Sequence, residues 1–149
     1  KIVGWSVGET LEAKYTVEAL RMALKQLPKG TEGLIHHSDR GVQYCCNDYV
    51  KKLHKNHVQI SMTENGDPRE NAIAERVNGI IKDEWLDQIK LKSIEDAVKE
   101  LKRIVQIYNT CRPHASLDMK TPEFAHNQSG EFKNHWKTYY KTEQATVSY

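Results

Sequence analysis

The chain has 149 residues, enough for one domain with its own hydrophobic core and too few for two. Apolar residues make up 38% and charged residues 28%, and no stretch approaches the roughly 20 apolar residues of a membrane helix or the leader of a secreted protein. A net charge of +2 tilts the chain toward anionic partners and by itself decides nothing. Cys45, Cys46 and Cys111 are odd in number, two of them are adjacent, and no C-x-x-C occurs. That usage fits a reducing cytoplasm and argues against a disulfide framework or a structural zinc site. The opening on Lys1 in place of Met reads as a piece of a longer product.

K-I-V-G-W-S-V, Lys1 to Val7, is β-branched and aromatic and predicts a strand. Thr16 to Leu27 carries Val17, Leu20, Ala23, Leu24 and Leu27 at helical spacing and ends before Pro28 and Gly30. Gly33 to His37 is a short apolar run entering the tight turn S-D-R-G. A helix is expected from a cap at Asn47, with Tyr49, Val50, Leu53 and His57 inward, and then a strand over Val58 to Met62. Glu64 to Glu70 is a polar loop of turn residues. Asn71 to Leu86 predicts a helix with Ile73, Val77, Ile80 and Ile81 on one face. Ser93 to Tyr108 predicts another, opened by Ser93 and Asp96 at capping-box spacing. Pro113 and Pro122 break the chain after it, and residues from Gln128 on carry aromatics and lysines without periodicity. The order β-α-β-α-β-α-α predicts an α/β domain, a mixed sheet covered by helices.

Asp39 follows an expected buried strand, and strand ends are where open α/β sheets bind ligands. Glu75 shares a helix face with Asn71, Asn78, Gly79 and Lys82, opposite Ile73, Val77 and Ile80. Singly, these read as a turn aspartate and a solvated glutamate. Together, with 35 residues between Asp39 and Glu75, they begin a longer pattern. It comprises H-H-S-D-R-G-V-Q-Y at His36 to Tyr44, S-M-T-E-N-G-D-P-R-E-N-A-I-A-E-R at Ser61 to Arg76, and G-I-I-K-D-E-W-L at Gly79 to Leu86. Y-N-T-C-R-P-H-A-S-L at Tyr108 to Leu117 and T-P-E-F at Thr121 to Phe124 complete it. In these motifs the chain resembles the DDE transposases of bacterial insertion sequences, relatives of retroviral integrases, over roughly residues 1–125, with 126–149 as a C-terminal extension.

The resemblance implies a ribonuclease-H-like mixed sheet flanked by helices and lacking its first strands. It implies Mg²⁺-dependent (or Mn²⁺-dependent) DNA cleavage and strand transfer on transposon ends and target DNA. In that family three carboxylates hold two ions, because hard cations take oxygen ligands and two of them serve an in-line displacement at phosphorus. By resemblance Asp39 and Glu75 are the second aspartate and the glutamate, each holding one ion. Lys82 would meet DNA phosphate, with Arg69, Asn71, Asn78, Arg112 and His114 as further DNA contacts. The bridging first aspartate of the family has no counterpart before Asp39, where the acids are Glu9, Glu12, Glu18 and Glu32. The expectation is therefore a core inactive in isolation, whose short sheet leaves Ile2, Val3 and Ile35 poorly covered. The resemblance also implies a homo-oligomer in the bacterial cytoplasm, at the nucleoid and not in a membrane. The alternative is a decayed transposase that only binds DNA.

Other residues keep two readings. His36 and His37 favour structural or substrate-near places over metal ligation. Arg112 suits a phosphate or an acid on the preceding helix equally, and His114 suits packing or DNA. Trp5 and Trp85 read as core. Trp136, Tyr139 and Tyr140, interleaved with Lys133, Lys137 and Lys141, read as a peripheral segment ahead of a strand-tracking one.

Overall fold

A computed structural model describes residues 1–63 and 71–130. The chain runs through helix α1 (Ala13–Lys25), strand β1 (Ile35–Ser38), helix α2 (Asn47–Lys55), strand β2 (Gln59–Met62), helix α3 (Ala72–Glu84), helix α4 (Ile94–Thr110) and helix α5 (Pro122–His126). Single 3₁₀ turns at Leu86–Gln88 and Ala115–Leu117 follow α3 and precede α5. The segment with Trp136, Tyr139 and Tyr140 lies outside the described residues, as does the loop 64–70 with Arg69.

Helix α1 starts a turn earlier than its apolar spacing suggests and ends at Gln26, where the Gln26 N–H returns to the Ala23 carbonyl and the Leu27 N–H to the Leu24 carbonyl before Pro28. It buries Val17 and Leu20 against Tyr49 and Leu53 of α2 and Val58 beside β2, the first of two cores. Cys46, not Asn47, occupies the cap position of α2. His57 does not extend its apolar face: at φ 56 it takes the left-handed conformation just past the C-cap and ends the helix.

Strands β1 and β2 pair in parallel, His36 opposite Ile60 and Ser38 opposite Met62, with α2 as the crossover. Strand β1 inverts the usual alternation. His36 and Ser38 point inward, while Ile35 remains 58% exposed. The sheet has two strands among the described residues.

Lys1 to Val7 does not form the expected strand. A strand needs a neighbouring backbone, and here side chains take that place. The buried Asn109 amide accepts from the Ile2 N–H and donates to the Ile2 carbonyl, both at 2.9 Å. Gln26 Nε2 donates to the Val3 carbonyl at 2.6 Å, and Ser6 Oγ donates to the Tyr15 carbonyl at 2.7 Å. The segment passes so close to α1 that a Cβ on Gly4 would lie 2.1 Å from the Ala19 carbonyl oxygen.

The second core joins α3 to α4. Ile81, Ile104 and Tyr108 are buried, with Val77, Ile80, Trp85, Leu86, Leu101 and Ile2 packed around them. Trp85 is a packing residue, as its sequence context suggests. Ser93 caps α4 by accepting from the Asp96 N–H. Asp96 reaches back to the N–H of Lys92, one residue beyond the usual partner of a capping box. Thr121 caps α5 in the same way, with Pro122 pre-set at its first position.

Candidate active site

Asp39 leaves the end of β1 into a tight turn. Its Oδ1 accepts from the Gly41 N–H at 2.8 Å, an Asx turn that leaves the second carboxylate oxygen uncommitted by that bond. The turn is tight at Gly41, where an added Cβ would fall 2.5 Å from Gln43 Nε2 and 2.9 Å from Asp39 Oδ1, so both side chains would have to shift. The turn is fastened to the end of β2. Thr63 N–H donates to the Ser38 carbonyl at 3.1 Å, and Arg40 Nε donates to the Thr63 carbonyl at 2.7 Å. The Asp39 turn and the start of the S-M-T-E-N-G-D-P-R-E-N segment therefore meet in space at buried Thr63.

Beneath this turn sits an aromatic cluster. The Tyr49 hydroxyl and His36 Nε2 are 2.9 Å apart, and Tyr44 packs edge-on against Tyr49 with centroids 5.5 Å apart. Burial pushes the Tyr49 phenol up to about 12. Burial raises Tyr44 as well, with the Asp39 charge adding to it. Burial lowers His36, whose Nδ1 has no hydrogen-bond partner among the described residues. A second proton on that ring would bury an uncompensated charge. His37 points outward, its Nδ1 2.9 Å from Ser61 Oγ, its register partner on β2. Both histidines thus have structural partners.

Glu75 lies in the first turn of α3, its side chain exposed. Asn78 and Lys82 are exposed along the same helix. Asn71 occupies the cap position, but its side chain makes no capping bond. Glu75, Asn78 and Lys82 thus share one accessible face. Among the described residues no group of three or more His, Cys, Asp and Glu could hold a metal ion. Asp39 and Glu75 carry the hard oxygen donors that a divalent cation takes.

At the far end of α3, Arg112 grips Glu84 with two nitrogens, Nε to Oε2 at 2.7 Å and the second to Oε1. An acid is the partner seen, but it belongs to α3 and not to α4, the helix that precedes Arg112. The Arg112 guanidinium holds the Glu84 carboxyl below its usual range. His114 lies against that guanidinium and edge-on to the Tyr108 ring at 5.0 Å, and burial lowers its imidazole, with the Arg112 charge adding to it.

Sequence reasoning missed Asn109, Glu84 and Tyr49 as partners. Asn109 had a visible signal: it follows Val105 by four residues and so falls on the apolar face of α4. A polar residue there must find a bond or lose stability.

Two family profiles, each described as an integrase core domain, match residues 1–68 and 56–122. An insertion element IS600 uncharacterized 31 kDa protein of Shigella sonnei is 34% identical over 123 residues, 82% of this chain and 45% of that protein. The transposase for insertion sequence element IS904 of Lactococcus lactis is 34% identical over 125 residues, 83% of this chain and 49% of that protein. The chain thus spans about half the length of these curated relatives. Among solved structures, the HTLV-2 integrase catalytic core domain in complex with magnesium superposes with a TM-score of 0.57 at 20% identity, covering 81% of this chain and 75% of that one. A simian T-cell lymphotropic virus intasome gives 0.63 at 14% identity, covering 92% of this chain and 48% of that one. These likenesses give the fold, the ribonuclease-H-like α/β architecture of retroviral integrase cores.

Proposed function

We propose, from the premise that this chain belongs to the integrase-core family that includes insertion-sequence transposases, that it is the larger part of a transposase catalytic core that cleaves and joins DNA. The observation that carries this reading is the join at Thr63, which fastens the Asp39 turn to the segment leading into the Glu75 helix. Asp39 and Glu75 would hold Mg²⁺ or Mn²⁺, which when bound polarises the scissile phosphate and the attacking oxygen.

The chain's own residues do the rest. The Gly41 N–H fixes one Asp39 oxygen, so the carboxylate is oriented before any ligand arrives. The neutral His36–Tyr49 pair supports the turn from below without adding charge. Lys82 offers a point charge to a DNA phosphate two turns along α3 from Glu75, with Asn78 between them as a neutral contact. Asn71, at the cap position of α3, is a proposed DNA contact, as is Arg69 two residues before it in sequence. Arg112 and His114 are further proposed DNA contacts, with Arg112 already bonded to Glu84. Residues 1–125 form the core and 126–149 its extension.

Two carboxylates are fewer than the chemistry uses, so the isolated chain binds duplex DNA without cutting or joining it. The decisive assay is strand transfer of a labelled transposon-end duplex in Mg²⁺ by the gene's whole product, beside Glu75→Gln and Asp39→Asn. The expected result is activity in the parent and none in either variant. An inactive parent that still folds and binds DNA would point to a binding-only protein. Strand transfer by the isolated chain would contradict the assignment of roles.

A further inference from the structure

Gly79 is the eighth of the thirteen residues of α3. A helix interior is a poor place for glycine, which loses more backbone freedom there than alanine does. Such a glycine is ordinarily explained by another part of the protein pressing on the helix, and Gly4 shows what that looks like, with the Ala19 carbonyl oxygen 2.1 Å from an added Cβ. Gly79 has no such neighbour. Among the described residues, a Cβ there would meet only Asp83 Oδ2, at 4.0 Å. Nor does the helix break there, since α3 is continuous from Ala72 to Glu84.

The place of the glycine on the helix supplies the reason. At about 100° per residue, Gly79 lies roughly 40° from Glu75 and 60° from Lys82, on the face turned away from Val77, Ile80 and Ile81. Along the axis it lies between the carboxylate and the cation, and around the helix it lies to one side of both, a bare spot beside them. We infer that Gly79 is a substrate-contact position, where the sugar-phosphate backbone of DNA passes closest to α3 between Glu75 and Lys82. The cation reaches a phosphate oxygen, while the absent Cβ lets the sugar edge lie on the helix backbone. This rests on the proposed DNA-joining function and adds to it the path of the strand across the helix.

The test uses the full chain, a fluorescent duplex of mixed sequence and thermal melting. Gly79→Ala is expected to raise the melting temperature by about 3 °C, because alanine is the better helix former. The same change is expected to weaken duplex binding roughly tenfold, about 1.4 kcal/mol, and Gly79→Leu by more, since an added side chain holds the DNA backbone off the helix and lengthens the Lys82 contact. Ala74→Leu, exposed on another side of α3, should leave affinity unchanged. Unchanged or tighter binding by Gly79→Ala overturns the inference. So does a lower melting temperature, which would mean that the protein itself needs the space. If Lys82→Ala weakens binding and Gly79→Ala does not, the proposed function stands and this inference alone fails. A parent chain that binds no duplex at all removes both.

Discussion

Arg112 and Glu84 form the most specific charged contact described in the chain, a planar fork on a carboxylate. The Glu84 side chain is 42% exposed, so solvent screening limits its worth to about 1 kcal/mol. Arg112→Lys keeps the charge and loses the fork, and is expected to forfeit most of that stability. Because Glu84 is depressed in the folded chain, the contribution is full above its ordinary 4.5 and disappears as pH falls through the folded value. Thermal melts of parent and Glu84→Gln should therefore differ near pH 7 and converge in acid. A difference that persists in strong acid would mean that Glu84 acts by packing. His36 and His114 work on a higher window. Burial lowers both below 6.5, so the unfolded chain takes up protons first, and the stability of their neutral forms drains as pH falls below 6.5. His36→Gln should flatten the fall in melting temperature that begins there, and an unaltered profile would remove His36 from the account.

Among the elements, α3 separates packing from presentation along one sequence. Ile73, Val77, Ile80 and Ile81 repeat with one period, but only the last three reach the core on α4, and Ile73 is 84% exposed. Ile81→Ala is expected to cost about 2–4 kcal/mol and Ile73→Ala less than about 0.5 kcal/mol, read from denaturant midpoints. Equal costs would show that the head of α3 is packed by something beyond the contacts described. Helices α1 to α4 and both strands were legible because apolar spacing reports burial directly, and their ends moved by at most three residues, whereas α5 forms where Pro122 had been read only as a break. Lys1 to Val7 was not, since its composition suits a strand while strand formation depends on a partner that local sequence does not contain. The inward His36 and Ser38 were equally hidden, because alternation does not say which face a polar residue takes until Tyr49 is placed beside it. In the candidate site, Asp39, Glu75 and Lys82 could be named from spacing and resemblance. The Thr63 join could not, since it depends on where β1 and β2 end relative to each other.

At the scale of the whole molecule, the two cores communicate through a thin tie. Ile2 packs into the α3–α4 core while its backbone is held by Asn109, and the same segment then crosses α1 of the other core. Asn109→Ala removes two hydrogen bonds from a buried place and should cost about 2 kcal/mol, with faster hydrogen exchange at the Ile2 amide as its local signature. Strand β1 leaves a larger debt. It pairs with β2 on one side, its other edge has no strand beside it among the described residues, and Leu34 and Ile35 stand 40% and 58% exposed there. An apolar, unpaired edge is a template for another backbone. The isolated chain is therefore expected to self-associate as its concentration rises, seen as a mass increase in sedimentation velocity. Ile35→Lys should suppress it, because a charge beside the edge has to be desolvated before a second strand can pair. A parent chain that stays monomeric across the same range would show that the edge is covered within one molecule.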